Sequence, residues 1–109
     1  MKTVQLTAFE RLMIIDVLGG VKGDLNTIRR AIKVAENIDL TEVQRKTIEL
    51  EYTPAGVKWN PKKAKKMDKC KFDLEDADFS FIKSKLNTKD DWPADKRIME
   101  MLDKINSLK

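Results

Sequence analysis

The chain of 109 residues contains no histidine and only one cysteine, Cys70. Without histidine it lacks the Ser-His and Cys-His nucleophile pairs, histidine metal ligands and the commonest general base near neutral pH. A single cysteine excludes an intrachain disulfide and any metal site built from several cysteines. We therefore expect a protein that is not an enzyme and that holds no metal and no cofactor. Catalysis by carboxylates or lysines is the remaining enzymatic alternative.

The one cysteine has two interpretations. Cys70 lies between Lys69 and Lys71, and neighbouring cations favour a reactive thiolate when the sulfur is exposed. Its alternation with Phe72 instead favours a small apolar residue packed within a strand. We prefer the packing role.

Long apolar runs are also absent. No run approaches the ~20 residues that span a bilayer, and the opening Met-Lys-Thr-Val-Gln-Leu-Thr lacks the apolar core of a secretory signal. With 41% apolar and 37% charged residues, the composition is typical of a globular protein with one modest core. We expect one domain over residues 1–109, located in the cytoplasm and without membrane contact.

Helix signals dominate the first half of the chain. Capping boxes at Thr7–Glu10 and Thr41–Gln44 predict helices over residues 8–18 and 42–49, and Asp24 as N-cap predicts another over 25–37. The first helix is so apolar that we expect it in the centre of the core or in an oligomer interface. The second shows three-and-four spacing of an apolar face, made of Leu25, Ile28, Ala31, Ile32, Ala35 and Ile38.

The pattern changes in the second half. Alternation over 48–53 and 57–60, around the Pro54–Gly56 turn, predicts a β-hairpin, and 69–73 predicts another short strand. Residues 61–68 show no amphipathic period and are interpreted as a loop. Two C-terminal helices follow, one over 75–87 and one with Pro93 in its first turn.

The predicted fold class is therefore mainly α with a small β-hairpin or sheet (α+β). Three N-terminal helices precede a short antiparallel β element, and two C-terminal helices follow it. We divide the single domain into a helical part (1–51), a β-hairpin with a lysine-rich loop (52–73) and a helical pair (74–109).

The basic charge of the chain is concentrated between Tyr52 and Phe72. That segment holds seven lysines and one acid, Asp68, while the whole chain carries a net charge of +4. A concentrated cationic segment attracts polyanions, but a solvated loop explains it equally. The candidate polyanion-binding residues are Lys58, Lys62, Lys63, Lys65, Lys66, Lys69 and Lys71, joined by Arg29, Arg30 and Lys33 of the second helix.

Two aromatic residues flank this basic segment. Tyr52 and Trp59 could stack on unpaired bases, although their alternation also fits packing under the helices. Three helices followed by a hairpin with a basic return loop is the outline of a winged-helix domain. The third helix argues against that reading, because the acids Glu42, Glu49 and Glu51 would repel phosphate.

A second nucleic-acid outline comes from Gly20-Val-Lys-Gly23 between two helices. The spacing is that of the phosphate-binding turn of KH domains. A KH domain also needs a strand before its first helix, and we expect an ordinary interhelical turn here.

Taken in chain order, several motifs form a recognisable outline. Leu6-Thr7-x-x-Glu10-Arg11-Leu12 opens it, Leu40-Thr41-Glu42 and Val57-Lys58-Trp59 continue it, and helices beginning near Glu75 and Pro93 end it. In this outline the chain resembles a group of small uncharacterised phage and prophage proteins. The resemblance implies a phage or mobile-element origin, and hence the host-cell cytoplasm. It favours roles such as inhibiting a host factor, assisting virion assembly or regulating transcription, and it assigns no site residue.

We interpret the sequence as that of a small non-catalytic interaction module that acts by protein–protein binding, with itself or with a host or viral partner. The alternative is a nucleic-acid-binding or transcription-regulating protein that uses residues 58–71. An acidic protein partner would also suit the lysine-rich segment.

Overall fold

The computed structural model describes residues 1–108. The fold is mainly helical with two small antiparallel sheets, which confirms the predicted α+β class. A single 3₁₀ turn, Lys65–Met67, continues the fourth helix. The elements in chain order are β1 (Lys2–Gln5), α1 (Ala8–Gly19), α2 (Leu25–Ile38), α3 (Glu42–Thr47), β2 (Glu51–Thr53), β3 (Gly56–Lys58), α4 (Pro61–Ala64), β4 (Lys71–Leu74), α5 (Asp76–Thr88) and α6 (Lys96–Ser107).

Each sheet has two strands. The predicted hairpin is present as β2 and β3, with Tyr52 opposite Val57. The predicted strand near residue 70 is β4, and it pairs with β1 so that Val4 lies opposite Phe72. We did not predict β1, because its only apolar signal is the alternation of Val4 and Leu6 and its partner lies far away along the chain.

Helix α1 lies at the centre of the main core, which is one of the two positions that its apolar composition predicted. It packs against α2, α5 and α6. Its capping box is formed, because the Thr7 hydroxyl accepts from the Glu10 amide at 3.1 Å and the Glu10 carboxylate accepts from the Thr7 amide at 2.9 Å. The buried side chains of this core are Val4, Leu6, Ile14, Leu18, Val34, Ile38, Leu74, Phe79, Ile82, Leu86, Met101 and Ile105.

A second apolar cluster lies beside the first turn of α1. Its buried members are Ala8, Leu40, Ile48, Ala64 and Met67, and Cys70 packs against them as a half-buried residue. This cluster holds α4 and the 3₁₀ turn in place, so the loop prediction for 61–68 was wrong. Local capping signals explain the helix. Pro61 occupies its first turn, and the side-chain oxygen of Asn60 accepts from the backbone amides of Lys62 and Lys63.

The described chain therefore contains six helices rather than the predicted five. The last begins at Lys96, later than predicted, because the Asp95 carboxylate accepts from the Arg97 amide at 2.8 Å and caps the helix there. Pro93 lies before that cap rather than in the first helical turn.

The apolar face of α2 is only partly buried. Ala31 and Ile38 face the core together with Val34, but Leu25 is 62% and Ile32 is 53% exposed. The predicted face is thus wider than the surface that α1 covers. No helix within residues 1–108 combines the length and the apolar character needed to cross a membrane.

Candidate functional site

The lysine-rich segment forms an exposed surface centred on α4 and the 3₁₀ turn, which we call the lysine surface. Ala64 and Met67 point into the second apolar cluster, and their spacing of three residues turns the side chains between them outward. All the lysines of this surface are exposed: Lys58, Lys62, Lys63, Lys65, Lys66, Lys69 and Lys71.

Acidic residues neutralise part of this surface. Lys63 forms an ion pair with Glu49, and the hydrogen bond and charge of that ammonium hold the pKa of the Glu49 carboxyl below its usual value. Lys58 lies opposite Glu51 across the hairpin. Within residues 1–108, no carboxylate oxygen lies within 4.0 Å of the other six ammonium groups, those of Lys58, Lys62, Lys65, Lys66, Lys69 and Lys71.

The basic face of α2 is modified by α5. The Lys33 ammonium lies 3.6 Å from Glu75 and 3.4 Å from Asp78, so two carboxylates offset its charge. Arg29 and Arg30 are exposed. Of the two acids that bind Lys33, Glu75 follows directly after β4 and Asp78 lies in the first turn of α5.

The two candidate stacking residues have different environments. Trp59 is half-buried in the second apolar cluster, and its ring centre lies 6.2 Å from that of Phe9. Tyr52 is 70% exposed on the hairpin. Tyr52 can therefore stack on a ligand without rearrangement, whereas Trp59 is partly covered and lines a shallow cleft together with Lys58 and Lys62.

A narrower cavity of about 230 Å³ lies between the first turns of α1 and α6. Three of its four charged side chains already have partners. Glu10 binds the Lys104 ammonium at 2.5 Å, Asp68 accepts from the Ala8 amide at 3.2 Å, and Arg97 binds Asp95 at 2.9 Å while stacking on Phe9. These contacts hold the three side chains against neighbouring elements of the fold.

Two apolar surfaces were not predicted from the sequence. The first, which we call the aliphatic ridge, consists of Leu25, Ile28 and Ile32 on α2. The second, the α6 groove, has a volume of about 430 Å³ and is lined by Trp92, Pro93, Ala94, Ile98, Met99 and Leu102, with Asp95, Lys96 and Asp103 at its polar positions. A signal was available for the ridge, since α2 carries more large apolar residues than one helix neighbour can cover.

The described residues contain no group of three or more acidic or cysteine side chains arranged to hold a metal ion. The comparisons with known proteins add no assignment: no protein-family model, curated protein or solved structure matches the chain.

Proposed function

We propose that the protein is a small non-catalytic interaction module, of phage or mobile-element origin, that acts by binding a protein. The partner is a second copy of the chain or a host or viral protein. The observation that carries this proposal is the aliphatic ridge, which places Leu25 and Ile32 in solvent at 62% and 53% exposure.

Exposed aliphatic residues at helical spacing favour a protein contact. Leu25, Ile28 and Ile32 lie about one turn apart, so their side chains form one continuous strip. Burial of a leucine or isoleucine side chain contributes about 1.5–3 kcal/mol. Single exposed apolar residues are ordinary, but contiguous apolar patches on soluble proteins often mark binding surfaces.

A photo-crosslinking experiment tests this function. A benzophenone amino acid replaces Leu25 in the full chain, which is expressed in its host and irradiated. We expect one discrete crosslinked protein, either this chain or another. Adding Ile32→Glu should remove the product, whereas the matched control Asn37→Glu, which introduces the same charge at an exposed position of α2, should keep it. Absence of any crosslinked protein from a folded, expressed chain would overturn the proposal.

Nucleic-acid binding through the lysine surface is the second candidate. It is favoured by the ordered display of Lys62, Lys65, Lys66 and Lys69 on α4 and the turns that follow it. Lysines that neutralise phosphates release the counterions condensed on the nucleic acid, so the affinity of such a surface falls steeply with salt. Tyr52 adds an exposed ring on which a base could stack.

Fluorescence anisotropy with labelled single- and double-stranded DNA and RNA, across a salt series, tests this candidate. The variant Lys62→Gln/Lys66→Gln should weaken binding and flatten the salt dependence. The control Lys22→Gln/Lys96→Gln lowers the net charge equally at other sites and should retain most of the affinity. Equal losses in both variants would assign any binding to net charge alone and contradict a site on the lysine surface.

A further inference from the structure

The side chain of Cys70 lies on the face of β4 that meets α1. The backbone at Cys70 extends the pairing of β1 with β4, because the Leu6 amide donates to the Cys70 oxygen at 3.0 Å, one step beyond the last residue pair of that ladder. Side chains alternate between the two faces of an extended strand. Cys70 and Phe72 therefore share one half-buried face, whereas Lys69 and Lys71 are exposed.

The Arg11 side chain of α1 approaches the same face of β4. Its guanidinium lies over the Phe72 ring, and the residue is 2% exposed. Its Nε and Nη2 atoms donate to backbone oxygens at the end of α2. Its third nitrogen, Nη1, is buried and has no hydrogen-bond partner among residues 1–108. A buried donor without a partner is costly and uncommon, so an acceptor placed at Nη1 would be strongly favoured.

Cys70 is close enough to Arg11 to supply that acceptor. Burial lowers the pKa of Arg11, and among the charges that oppose this shift Cys70 acts more strongly than Asp39. A thiol sulfur is only a weak acceptor, whereas an oxygen bonded to that sulfur is a better one. Cys70 is half-buried rather than enclosed, so a small solute can reach it.

We propose that Cys70 is a reversible oxidation site, at which peroxide converts the thiol to a sulfenic acid whose oxygen accepts a hydrogen bond from Nη1 of Arg11. The sulfur attacks one oxygen of hydrogen peroxide, and the S–O bond forms as the O–O bond breaks. The departing hydroxide takes the thiol proton and leaves as water, so sulfur is oxidised and the peroxide is reduced. An external thiol reverses the step, releasing water and the disulfide of the reductant.

The composition of the chain favours persistence of this product. Cys70 is the only cysteine, so no second thiol of the same molecule can condense with the sulfenic acid to form a disulfide. The half-buried position of the sulfur also hinders its contact with Cys70 of another copy. The site does not involve the aliphatic ridge, and the inference is independent of the proposed protein binding.

Trapping with dimedone, which reacts with sulfenic acids, tests the site. The full-length protein is treated with an equimolar amount of hydrogen peroxide and then with dimedone, and tandem mass spectrometry locates the adduct. We expect the adduct on Cys70 of the folded wild type, and we expect dithiothreitol added before dimedone to abolish it. Absence of the adduct would overturn the proposal.

Paired reaction rates test the contribution of Arg11. Iodoacetamide alkylates the same sulfur without adding an oxygen, so the ratio of the peroxide rate to the iodoacetamide rate corrects for access. Arg11→Met should lower this ratio about tenfold, because a charge-assisted hydrogen bond to the new oxygen is lost. The control Lys69→Gln/Lys71→Gln removes two exposed neighbouring charges and should change it less than about twofold. A ratio that falls no further in Arg11→Met than in the control would overturn the role of Arg11.

A measurement on the wild type avoids a variant that destabilises the fold. Heteronuclear NMR of the arginine side chains compares the reduced protein with the protein oxidised at Cys70. Oxidation should shift the Nε–H resonance of Arg11 and leave that of Arg97, which lies on α6, in place. An unchanged Arg11 resonance in the oxidised protein would contradict the contact between Arg11 and the new oxygen.

Discussion

The guanidinium of Arg11 lies 4.7 Å from the centre of the Phe72 ring, which joins α1 to β4. From this buried position it donates to the backbone oxygens of Ile38 at 2.8 Å and Asp39 at 2.7 Å. Helix α2 has no basic residue in its last turn and ends in extended backbone. Arg11 therefore supplies the donors that the final carbonyl groups of α2 need. Burial lowers the pKa of Arg11, while the nearby Cys70 and Asp39 oppose that shift.

We predict that Arg11→Met destabilises the protein by about 3 kcal/mol, because buried carbonyl oxygens lose charged donors. Urea unfolding followed by circular dichroism measures the change. The matched control is Arg97→Met, which also removes a guanidinium stacked on a ring, that of Phe9. Arg97 is exposed, so its loss should cost less than about 1 kcal/mol. Equal effects of the two substitutions would contradict a capping role for Arg11.

A second prediction concerns pH and the start of α2. The Asp24 carboxylate accepts from the Thr27 amide at 2.8 Å, and this backbone hydrogen bond lowers the pKa of Asp24 below its ordinary value. A carboxyl with a lowered pKa in the folded state stabilises that state above the ordinary aspartate pKa of ~3.9. The stabilisation is lost as the pH falls through the folded pKa.

Asp24→Asn tests this assignment, because asparagine caps a helix as well as aspartate but does not titrate. We expect the wild type to be the more stable protein near neutral pH, owing to the interaction of its carboxylate with the positive end of the helix dipole. The difference in unfolding free energy should shrink as the pH falls below ~3.9. A difference that stays constant between neutral pH and pH ~2.5 would show that the charge of Asp24 contributes nothing.

Local sequence signals predicted much of the helical framework. The capping boxes at Thr7 and Thr41 and the cap at Asp24 all form as expected, because each involves residues three apart along the chain. The strand β1 forms by pairing with β4, which lies far away in sequence, and the four residues of β1 alone do not indicate that pairing. Helix α4 was not predicted because the segment is mostly lysine, and only Ala64 and Met67 mark the inward face of the helix and of the 3₁₀ turn that follows it.

The candidate surfaces were less predictable. The composition of the chain already showed the cluster of lysines. It could not show that Glu75 and Asp78 pair with Lys33, because both acids lie far from Lys33 in sequence and the pairing depends on how α2 packs against α5. The exposure of Leu25 and Ile32 could not be read from periodicity either. Spacing identifies an apolar face, whereas the width of the neighbouring helix decides how much of that face is buried.

The order of the lysine surface should depend on Asn60. Its side-chain oxygen accepts from the amides of Lys62 at 3.0 Å and Lys63 at 3.2 Å. We predict that Asn60→Ala destabilises α4 by about 1 kcal/mol and speeds amide hydrogen exchange over 62–67. Asn60→Asp retains the cap and should keep the slow exchange, and adding negative charge at a helix start is also favourable. Fast exchange in the wild-type chain would show that α4 is not stably formed.

The ion pair between Glu10 and Lys104 fixes α6 to the start of α1. The Glu10 side chain is 5% exposed and that of Lys104 is 35% exposed, with 2.5 Å between the carboxylate oxygen and the ammonium. The same ammonium donates to the backbone oxygen of Gln5 at 3.1 Å. Lys104→Met should therefore cost about 2–3 kcal/mol, because the buried carboxylate loses its counter-charge.

A double-mutant cycle isolates that electrostatic cost. Glu10→Gln keeps the capping box, since glutamine can also accept from the Thr7 amide, and it removes the buried charge. Once glutamine is present, Lys104→Met should cost about 1–2 kcal/mol less than it does in the wild type. Urea unfolding of the four proteins measures this difference. If the two substitutions are additive, Lys104 stabilises α6 through its hydrocarbon chain and its bond to Gln5 rather than through the charge of Glu10.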